Sequence, residues 1–584
     1  SAGTLVSGRE LPMHLGLPTR SVHGLPIIEH AEFGRNVPDE AMPDEDKMNL
    51  GKIYHMGKEE AAGLILNRQA MASHTFITGS TGTGKSNAVY HLLDEITKNG
   101  QTTFLVVEPA KGEYKNVFGN CTDVQVFGTN PRETPLLRMN PFAFPENIHI
   151  LEHIDRLVEI FNACWPMYAA MPAVLKDAIE RSYQKVGWDL RNSESEKGVF
   201  PTFFDLLDIL PGVIEESHYS KDTQSDYVGA LCTRVKSLTN GIYGSVLCAE
   251  DALTDEALFD RNVIVDLSRV GSMETKSLLM GILVMKLQEY RMCSSGMNSR
   301  LRHVTVLEEA HNLLRKTSAE QSQEGANLQG KSVEMLANAI AEMRTYGEGF
   351  IIADQAPGLL DMSVIRNTNT KIILRLPDEE DRKLVGKSAA LKEAQIDELS
   401  KLPLGVAAVY QNEWPEAVLC KIEAYPMPEN AVYHKPSKMP HEINAEFVFG
   451  QLAAGKELEP LSISEMEQLK LWLKRHETVL KPEDSRYLER VFAGGELDVA
   501  KTRKAVFDFF GGIGTVVDYC AAAKKSLTPR KEFLEQLQGQ YGLKAAAADW
   551  VLNSVISMGM SLNPDAKAVD NLRTNFEQQG GRVL

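Results

Sequence analysis

The sequence has few of the features that mark secreted, membrane-embedded or metal-binding proteins. Its 584 residues include only seven cysteines, which are scattered, odd in number and never spaced as C-x-x-C. This usage argues against a disulfide framework and a cysteine-ligated metal, and it is typical of a cytoplasmic protein. No run of about 18 apolar residues is present, so we expect no membrane-spanning helix. The first residues show no basic segment followed by an apolar stretch, which is the pattern of a signal peptide.

The chain is also short of positive charge. Its formal net charge is −17, while its hydrophobic content of 43% is ordinary for a globular protein. A surface this acidic does not favour broad contact with nucleic acid, because the phosphates repel it. Any contact with DNA would therefore come from a local basic patch, such as one that lines a pore. The length predicts several domains with an ample core.

The clearest motif is a glycine-rich segment near residue 80. It fits the P-loop pattern G-x-x-x-x-G-K-[ST] at every fixed position and reads Gly79-Ser80-Thr81-Gly82-Thr83-Gly84-Lys85-Ser86. The short apolar run over 74–78 predicts a strand before it, and the amphipathic run over 87–96 predicts a helix after it. A glycine-rich turn that matches by coincidence is the alternative, and the strand–loop–helix setting counts against it.

A P-loop binds the phosphates of a nucleotide. Glycines let the backbone wrap closely, so successive N–H groups and the N-terminus of the following helix face the phosphates. We expect the whole segment to contact ATP, together with Asn87 at the start of the helix. Lys85 would reach the β- and γ-phosphates, and the Ser86 hydroxyl would bind Mg²⁺. ATP and Mg²⁺ are therefore the predicted cofactors.

Strand and helix patterns alternate through the first 425 residues. Short apolar runs predict strands at residues 53–57, 102–107, 124–127, 262–267, 304–307, 349–355, 371–376 and 406–410. Amphipathic segments between several of these runs predict helices. We therefore expect an α/β fold, a RecA-like P-loop NTPase with a mainly parallel central sheet and helices on both faces.

The patterning divides the chain into five segments. Residues 1–50 are rich in Pro, Gly and His, and they predict irregular structure with one or two short strands. Residues 51–144 and 251–425 form the first and second halves of the RecA-like core. Between them, residues 145–250 predict a helical insertion, because apolar residues recur there at helical spacing. Residues 426–584 predict a Pro-rich linker followed by a helical C-terminal region.

Two of the predicted strands end in carboxylates. The strand over 304–307 runs into Glu308 and Glu309, and the strand over 102–107 runs into the acidic segment 108–114. Carboxylates at the carboxyl ends of parallel strands lie on the side where open α/β sheets bind ligands. We assign Glu308 to Mg²⁺, directly or through water, and Glu309 to general-base activation of the attacking water.

The pair Glu308-Glu309 departs from the usual pattern of P-loop ATPases, in which Asp comes first. The longer arm of Glu308 changes the geometry of direct metal contact. The alternative interpretation is an acidic helix start after a strand, since Glu is common at helix N-termini. We interpret His311 as a structural link between sites rather than a base, because Glu309 is better placed for that role.

Four further polar residues are candidates for the site. Gln355 ends the strand over 349–355, where it would sense the γ-phosphate or orient water; a simple polar strand end is an equal alternative. In an isolated domain, Arg344, Arg366 and Arg375 would be surface or salt-bridge residues. In a ring, one of them would reach the neighbouring site as an arginine finger. We count Gln355, Arg344 and Arg375 among the candidate catalytic residues, and the sequence does not choose among the arginines.

Several ordered stretches together resemble the HerA branch of the HerA–FtsK ATPases. They lie at residues 75–86, 108–114, 137–142, 307–311 and 367–375, within a resemblance that covers about residues 50–425. The D-E-A-H motif of the family is Glu308-Glu309-Ala310-His311 here. Only residues 1–50 precede the core, so we expect at most a remnant of the family's N-terminal barrel.

The resemblance implies a function that the residues alone do not. It implies a hexameric ring that hydrolyses ATP at subunit interfaces and translocates or unwinds double-stranded DNA. It also implies a nuclease or sirtuin-type effector partner, in antiphage defence or DNA end processing. The polar segment over 317–331 predicts a loop, which we interpret as a pore-facing or interface element, and a helix is predicted over 333–343.

Two other functions are compatible with a P-loop and remain open. One is an ATP-gated oligomeric scaffold that assembles and regulates an effector enzyme without processive translocation, which Glu308 in place of Asp favours. The other is a coupling ATPase of conjugation or secretion, which would carry or contact a membrane anchor. The fold does not decide among them. The ATPase rate with and without duplex DNA would separate the motor from the scaffold.

Overall fold

The computed structural model describes most of the chain, and it divides into two compact units. The described residues are 8–9, 21–24, 29–39, 41–168, 170–195, 198–217, 219–249, 252–317, 323–427, 431–435, 487–488, 490–491, 498–526, 528–541, 545–563, 565–581 and 583. The first unit comprises Ser1–Leu137, Phe144–Ala173 and Thr254–His434, and the second comprises Arg138–Ala143, Val174–Leu253 and Lys435–Leu584.

The strands are short, and most of them lie in the first unit. In chain order they are β1 (Lys47–His55), β2 (Lys58–Asn67), β3 (Thr75–Thr78), β4 (Thr103–Glu108), β5 (Val124–Gly128), β6 (Trp188–Asp189), β7 (Glu194–Ser195), β8 (Asn262–Asp266), β9 (His303–Glu308), β10 (Glu348–Asp354), β11 (Thr370–Ile373), β12 (Val406–Gln411) and β13 (Val418–Ile422).

One 11-stranded sheet organises the first unit, in the order β2-β1-β13-β12-β11-β3-β10-β9-β4-β8-β5. All neighbours from β11 to β5 are parallel, whereas β12, β13, β1 and β2 extend the sheet by antiparallel pairing. β3, β9 and β10 are buried along their whole length, as expected for strands covered on both faces. The predicted α/β fold with a mainly parallel sheet is confirmed.

The register of the parallel strands brings their carboxyl ends to one edge of the sheet. Asp354 pairs with Thr78, and Ala353 pairs with Glu308. On the other side of β9, Glu108 at the end of β4 pairs with Asp266 at the end of β8. The edge at which β3 leads into the P-loop is therefore also the edge at which the carboxylates emerge.

Helices connect the strands and cover the sheet. In the first unit and at its boundary they are Lys85–Thr97, Tyr114–Phe118, Ile150–Cys164, Met171–Lys185, Asp255–Phe259, Met273–Ser294, Gln323–Glu342, Met362–Arg366, Glu379–Ser388 and Glu393–Glu398. The longest begins at a Ser272 N-cap, whose hydroxyl accepts a hydrogen bond from the backbone N–H of Thr275. Its apolar residues, such as Leu278, Ile282 and Leu283, are buried, which is where most of its stability comes from.

The polar segment over 317–331 is not a loop throughout, so that prediction was wrong in part. Its residues from 323 onward form the first half of the helix Gln323–Glu342, and residues 318–322 lie outside the described part of the chain. Gln329 donates to the carbonyl of Ala163 at 3.0 Å, and the Ser332 hydroxyl donates to Glu159 at 2.6 Å. These contacts with a neighbouring helix extend the predicted helix towards its N-terminus, and Glu, Gln and Leu are good helix formers.

The strand predicted near residue 53 is longer than expected and forms a hairpin. β1 and β2 pair in antiparallel fashion, and Met56 and Gly57 between them both have positive φ, at 47° and 78°. Two central residues of positive φ are typical of the tight turns that match the twist of paired strands. β1 begins at Lys47, within the segment 1–50 that we expected to be largely irregular.

The second unit is mainly helical. Its helices are Phe203–Glu216, Lys221–Tyr227, Thr233–Thr239, Gly241–Leu247, Val499–Phe509, Gly512–Ala523, Pro529–Tyr541, Ala545–Leu562 and Ala566–Gln578, and β6 and β7 form a small hairpin. Buried side chains such as Phe509, Tyr519, Leu552, Ile556 and Phe576 form the core of its C-terminal part.

In the described part of the chain, single helices do not have the length and hydropathy of a membrane span. Across the described residues, none is both long and apolar enough to cross a membrane. Ala500–Phe509 and Gly512–Ala523 meet the criterion only when taken as a pair, and the pair is bent by 67°.

Candidate active site

The P-loop is held between the ends of neighbouring strands. The N–H of Ser80 donates to the carbonyl of Arg375 at 3.0 Å, and the N–H of Gly405 donates to the carbonyl of Thr83 at 3.0 Å. Gly84, directly before the helix Lys85–Thr97, has φ of 105°, a conformation that side chains rarely adopt. The loop is therefore fixed in a shape that leaves the N-terminus of the helix open towards a ligand.

Lys85 brings the P-loop and the predicted carboxylates together. Its side chain is buried, and its Nζ lies 3.3 Å from Glu309 Oε1 and 3.7 Å from Glu308 Oε2. A buried ammonium between two carboxylates is compensated in charge, so the three groups are held at one point. Lys85, Glu308 and Glu309, each assigned to the site from the sequence, thus lie in contact.

Glu308 ends β9 and is almost fully enclosed. The Tyr114 hydroxyl donates to Glu308 Oε1 at 2.5 Å. Burial raises the pKa of Glu308, while Lys85 and the Tyr114 hydroxyl act in the opposite direction. A small pocket joins this carboxylate to the P-loop, lined by Lys85, Ser86, Glu108, Ala110, Lys111, Glu113, Tyr114, Glu308 and Glu309. A hydroxyl beside carboxylates is the oxygen-rich environment that Mg²⁺ prefers, so Ser86 and Glu308 fit the predicted metal role.

Glu309 occupies a strained backbone position. Its φ and ψ are 46° and 51°, in the left-handed region that non-glycine residues rarely adopt. Its carbonyl accepts a hydrogen bond from Asn312 Nδ2 at 2.7 Å, which helps to hold the turn. Left-handed residues cluster at functional sites, where the surrounding structure offsets the strain. Here the turn keeps the carboxylate of Glu309 beside Lys85.

Gln355 connects Glu309 to the P-loop. Its side-chain amide donates to Glu309 Oε1, and its carbonyl oxygen accepts from the Thr81 hydroxyl at 2.7 Å. The side chain therefore bridges the tip of the P-loop and the predicted base. A γ-phosphate sensor is expected between the phosphate-binding loop and the water-activating group, and that role of Gln355 stays a prediction.

Asp354 is a member of this group that the sequence analysis did not single out. Its Oδ2 accepts from the backbone N–H of His311 at 2.8 Å and from His311 Nδ1 at 2.9 Å. This hydrogen bond is the main reason that the pKa of His311 is raised. His311 Nδ1 also lies 3.6 Å from Glu309 Oε2, so His311 links two strand ends. The sequence does contain a feature that could have identified Asp354, because this carboxylate precedes Gln355 at the end of a continuous apolar run.

The segment 108–114 forms the far wall of the pocket and was likewise given no role. Glu108 accepts hydrogen bonds from the backbone N–H groups of Glu113 and Tyr114, at 2.7 and 3.1 Å. Burial raises the pKa of Glu108 to about 7 in spite of these donors. Lys115 pairs with Asp266 at 2.6 Å just beyond it. The motif therefore builds a rigid, acidic wall beside Glu308.

The predicted arginines lie at different edges of the sheet. Arg375 follows β11 at the edge of the P-loop, where its carbonyl also accepts from the Ser80 hydroxyl at 3.2 Å and its side chain is exposed. Arg344 precedes β10 and Arg366 precedes β11, so both lie at the opposite edge, and both are exposed. The fold of a single chain does not bring Arg344 or Arg366 to its own P-loop.

Asn87 is used to hold another part of the chain. Its side-chain nitrogen donates to the carbonyl of Glu423 at 3.0 Å, and its oxygen accepts from the N–H of Tyr425 at 2.9 Å. These contacts tie the segment after β13 to the start of the P-loop helix. The Asn87 side chain is thus engaged by backbone groups on both sides.

Comparison with known families agrees with this geometry. Residues 48–286 match the family model described as helicase HerA, central domain. A probable helicase of Methanocaldococcus jannaschii is 23% identical over 436 residues, which cover 68% of this chain and 76% of that protein. The DNA double-strand break repair helicase HerA of Sulfolobus acidocaldarius is 25% identical over 393 residues, which cover 65% of this chain and 69% of that protein.

A search of solved structures found VirB4 of Thermoanaerobacter pseudethanolicus, with a TM-score of 0.49 and 18% identity over 66% of this chain and 98% of that one. The family match begins in β1 and runs through the P-loop, the segment 108–114 and β8. Together with the HerA relatives, it supports the resemblance of this P-loop ATPase to the HerA branch of the HerA–FtsK superfamily.

Proposed function

We propose that this ATPase is a ring motor that uses ATP and Mg²⁺ to translocate or unwind double-stranded DNA. The observation that carries the proposal is the convergence of Lys85, Glu308, Glu309 and Gln355 at the end of the P-loop. These residue types in this arrangement serve phosphoryl transfer, which depends on positioning and charge stabilisation.

Each of the convergent groups has a separate role in the proposed reaction. Lys85 binds the β- and γ-phosphates, which replace its present carboxylate partners. Ser86 and Glu308 hold Mg²⁺, which supplies positive charge to the phosphates when bound. Glu309 accepts a proton from the attacking water. Gln355 keeps Glu309 oriented and, through Thr81, responds to occupancy of the P-loop.

The proposed ring and its proposed substrate, double-stranded DNA, are inferred from the relatives of this chain. The relatives are named as helicases, and one acts in double-strand break repair by its name. We propose six subunits, with Arg344 or Arg375 of a neighbouring subunit completing each site. A net charge of −17 is compatible with the movement of DNA through a locally basic pore, because a motor needs transient contacts with the DNA backbone rather than tight ones. The segment over 317–331 is our candidate for a pore-facing or interface element.

The proposed partner is a nuclease or sirtuin-type effector, in antiphage defence or DNA end processing. We place this activity in the cytoplasm, in line with seven cysteines that are all free thiols. An ATP-gated scaffold for such an effector is the second candidate, because Glu308 stands where P-loop ATPases usually have Asp.

The experiment that tests the motor is the ATPase rate with and without long duplex DNA, with the Lys85→Ala variant as the background control. We expect strong stimulation by duplex DNA in the wild type and none in the variant. A wild-type rate that is slow and indifferent to DNA would favour the scaffold. Deletion of residues 318–322 is expected to remove the stimulation, and full stimulation in that variant would contradict the proposed role of the segment.

The oligomeric state is tested by native mass spectrometry with and without ATP and Mg²⁺. A closed ring of six subunits is the expected result. A monomer under every condition would contradict catalysis at subunit interfaces and leave a nucleotide-binding subunit that needs a partner to assemble.

A further inference from the structure

The proposed reaction leaves Tyr114 without a function. Its side chain is 1% exposed, and its hydroxyl donates to Glu308 Oε1 at 2.5 Å. Tyr114 begins a short helix after β4, whereas Glu308 ends β9, and the two residues are 194 positions apart in the chain. A buried phenol needs a hydrogen-bond acceptor, but a carboxylate of the active site is a costly choice unless it is useful there.

The loop before Tyr114 fixes the position of its ring. Glu108 accepts hydrogen bonds from the N–H groups of Glu113 and Tyr114, which closes the loop onto the end of β4. Gly112 has φ of 68°, and a Cβ there would lie 3.0 Å from Ser268 Oγ, so the loop also packs closely on its outer side. The ring of Tyr90 contacts the ring of Tyr114 edge to face, at a centroid distance of 5.0 Å. The hydroxyl is therefore presented from a rigid support.

This contact determines how Glu308 is oriented. Oε1 is occupied by the Tyr114 hydroxyl, and Oε2 faces Lys85 at 3.7 Å. A glutamate has one more rotatable bond than the usual aspartate, so it loses more conformational freedom when it holds a metal. A hydrogen bond from a fixed donor removes that freedom before the metal binds, which is the general benefit of preorganisation.

We propose that Tyr114 is a positioning residue for the metal site, which holds the longer side chain of Glu308 so that Oε2 is presented on the side of Lys85 and Ser86. The inference rests on the proposed function, since the metal concerned is the Mg²⁺ that accompanies the nucleotide. It explains how a glutamate serves in the position where related ATPases carry an aspartate. It also gives the segment 108–114 a role in the reaction.

The test is the affinity of the full-length Tyr114→Phe variant for ADP, measured by calorimetry over a series of Mg²⁺ concentrations and in EDTA. Phenylalanine keeps the buried ring and removes the hydroxyl alone. We expect the affinity in EDTA to stay within about twofold of wild type. The Mg²⁺ concentration that gives half of the metal-dependent gain should rise at least about tenfold, because a hydrogen bond to a charged group is lost.

Tyr90→Phe is the matched control. It removes a phenol hydroxyl that is also buried but donates to Glu113 Oε2, at 3.3 Å, instead of Glu308. We expect the Mg²⁺ dependence of this variant to equal that of wild type. A second test uses Glu308→Asp, whose shorter arm no longer reaches Tyr114; adding Tyr114→Phe to it should cause no further shift. Thermal unfolding of each variant confirms that it folds.

Two outcomes would overturn the inference. One is an unchanged Mg²⁺ dependence in Tyr114→Phe, and the other is a shift of the same size in Tyr90→Phe, which would indicate a general effect on the pocket wall. The failure of the proposed function looks different. In that case, wild-type protein would bind ADP no better with Mg²⁺ than in EDTA, or would not bind it at all.

Discussion

At the scale of single residues, Glu309 is where backbone geometry and chemistry depend on each other. Its left-handed conformation turns the carboxylate towards Lys85, and the amide of Gln355 holds it there. Strained residues of this kind cluster at functional sites, where the surrounding structure offsets the strain. The carboxylate is then close to the P-loop before any nucleotide is bound.

Replacing Glu309 by Gln should separate binding from hydrolysis. The amide still accepts the hydrogen bond from Gln355, but it cannot take a proton from water. We expect ATP affinity close to wild type and a hydrolysis rate about 10²–10⁴-fold lower. Calorimetry with ATP and a phosphate-release assay measure the two quantities, and Lys85→Ala, which should lose binding as well, is the control. More than a tenth of the wild-type rate in Glu309→Gln would exclude Glu309 as the base.

Glu108 makes the stability of the protein depend on pH. The pKa of its carboxyl is raised by burial from 4.5 to about 7. Between those values the folded protein keeps a proton that the unfolded chain has released. The stabilisation from this proton is therefore complete below pH 4.5 and is lost as the pH rises through 7.

The Glu108→Gln variant lacks this dependence. Its melting temperature relative to wild type should therefore increase from pH 5 to pH 8, by an amount that corresponds to at most about 3 kcal/mol. Differential scanning fluorimetry of both proteins in the same buffers measures the difference. A difference that stays constant over this range would show that Glu108 has an ordinary pKa in the folded protein.

At the scale of elements, the sequence predicts which strands end at the site, but it does not predict which strands lie next to each other in the sheet. Glu308 and Gln355 could be assigned because each follows a continuous apolar run, and such runs end where a buried parallel strand ends. The contact between Tyr114 and Glu308 could not be predicted. It exists because β4 pairs with β9, with Val107 opposite Leu307, and the order of parallel strands is decided by tertiary packing rather than by local pattern.

The helix Gln323–Glu342 and the backbone of Glu309 show two further limits of prediction. The polar composition of residues 323–331 predicts a loop, yet these residues form the N-terminal part of a helix whose later residues Val333, Leu336 and Ile340 are buried. For Glu309, no feature of the sequence indicates positive φ, because glutamate carries no preference for that region. Local composition is outweighed by packing in the first case and by the surrounding turn in the second.

Two helical glycines allow the effect of close packing on stability to be compared with the effect of helix propensity. A Cβ on Gly281, in the helix Met273–Ser294, would lie 2.9 Å from Ile160 Cγ2 on a neighbouring helix, whereas a Cβ on Gly212 would meet nothing within 4 Å. Alanine favours a helix over glycine by about 1 kcal/mol. We expect Gly212→Ala to be neutral or stabilising, and Gly281→Ala to be destabilising by about 1–3 kcal/mol because the helices must separate.

Thermal unfolding of both variants beside wild type checks this prediction. Because the two glycines lie in different units, the transition of each unit should be followed, by calorimetry for example. Equal melting temperatures for Gly281→Ala and Gly212→Ala would contradict the close approach of Gly281 to Ile160.

At the scale of the whole molecule, the two edges of the sheet have different consequences for a ring. The P-loop, its carboxylates and Arg375 lie at one edge, and Arg344 and Arg366 are exposed at the other. An arginine at the far edge can reach a P-loop only in a neighbouring subunit. An arginine at the near edge can act within its own subunit or in a neighbour, so placement alone does not choose between Arg344 and Arg375.

Mixing inactive subunits identifies an arginine that acts between them. Lys85→Ala has no working site but still presents its arginines, whereas an arginine-finger variant has an intact P-loop and fails to serve its neighbour. We expect Arg344→Ala or Arg375→Ala to lose hydrolysis alone and to regain it when mixed with Lys85→Ala.

Random one-to-one mixing should restore roughly a quarter of the wild-type rate, since about one interface in four then pairs an intact P-loop with an intact arginine. An arginine that acts in its own subunit gives two inactive proteins and an inactive mixture. Arg366→Ala is tested in the same way, because Arg366 is exposed at the same edge as Arg344 and can likewise reach only a neighbouring P-loop. If no mixture regains activity while the single variants are inactive, catalysis between subunits by these arginines is excluded.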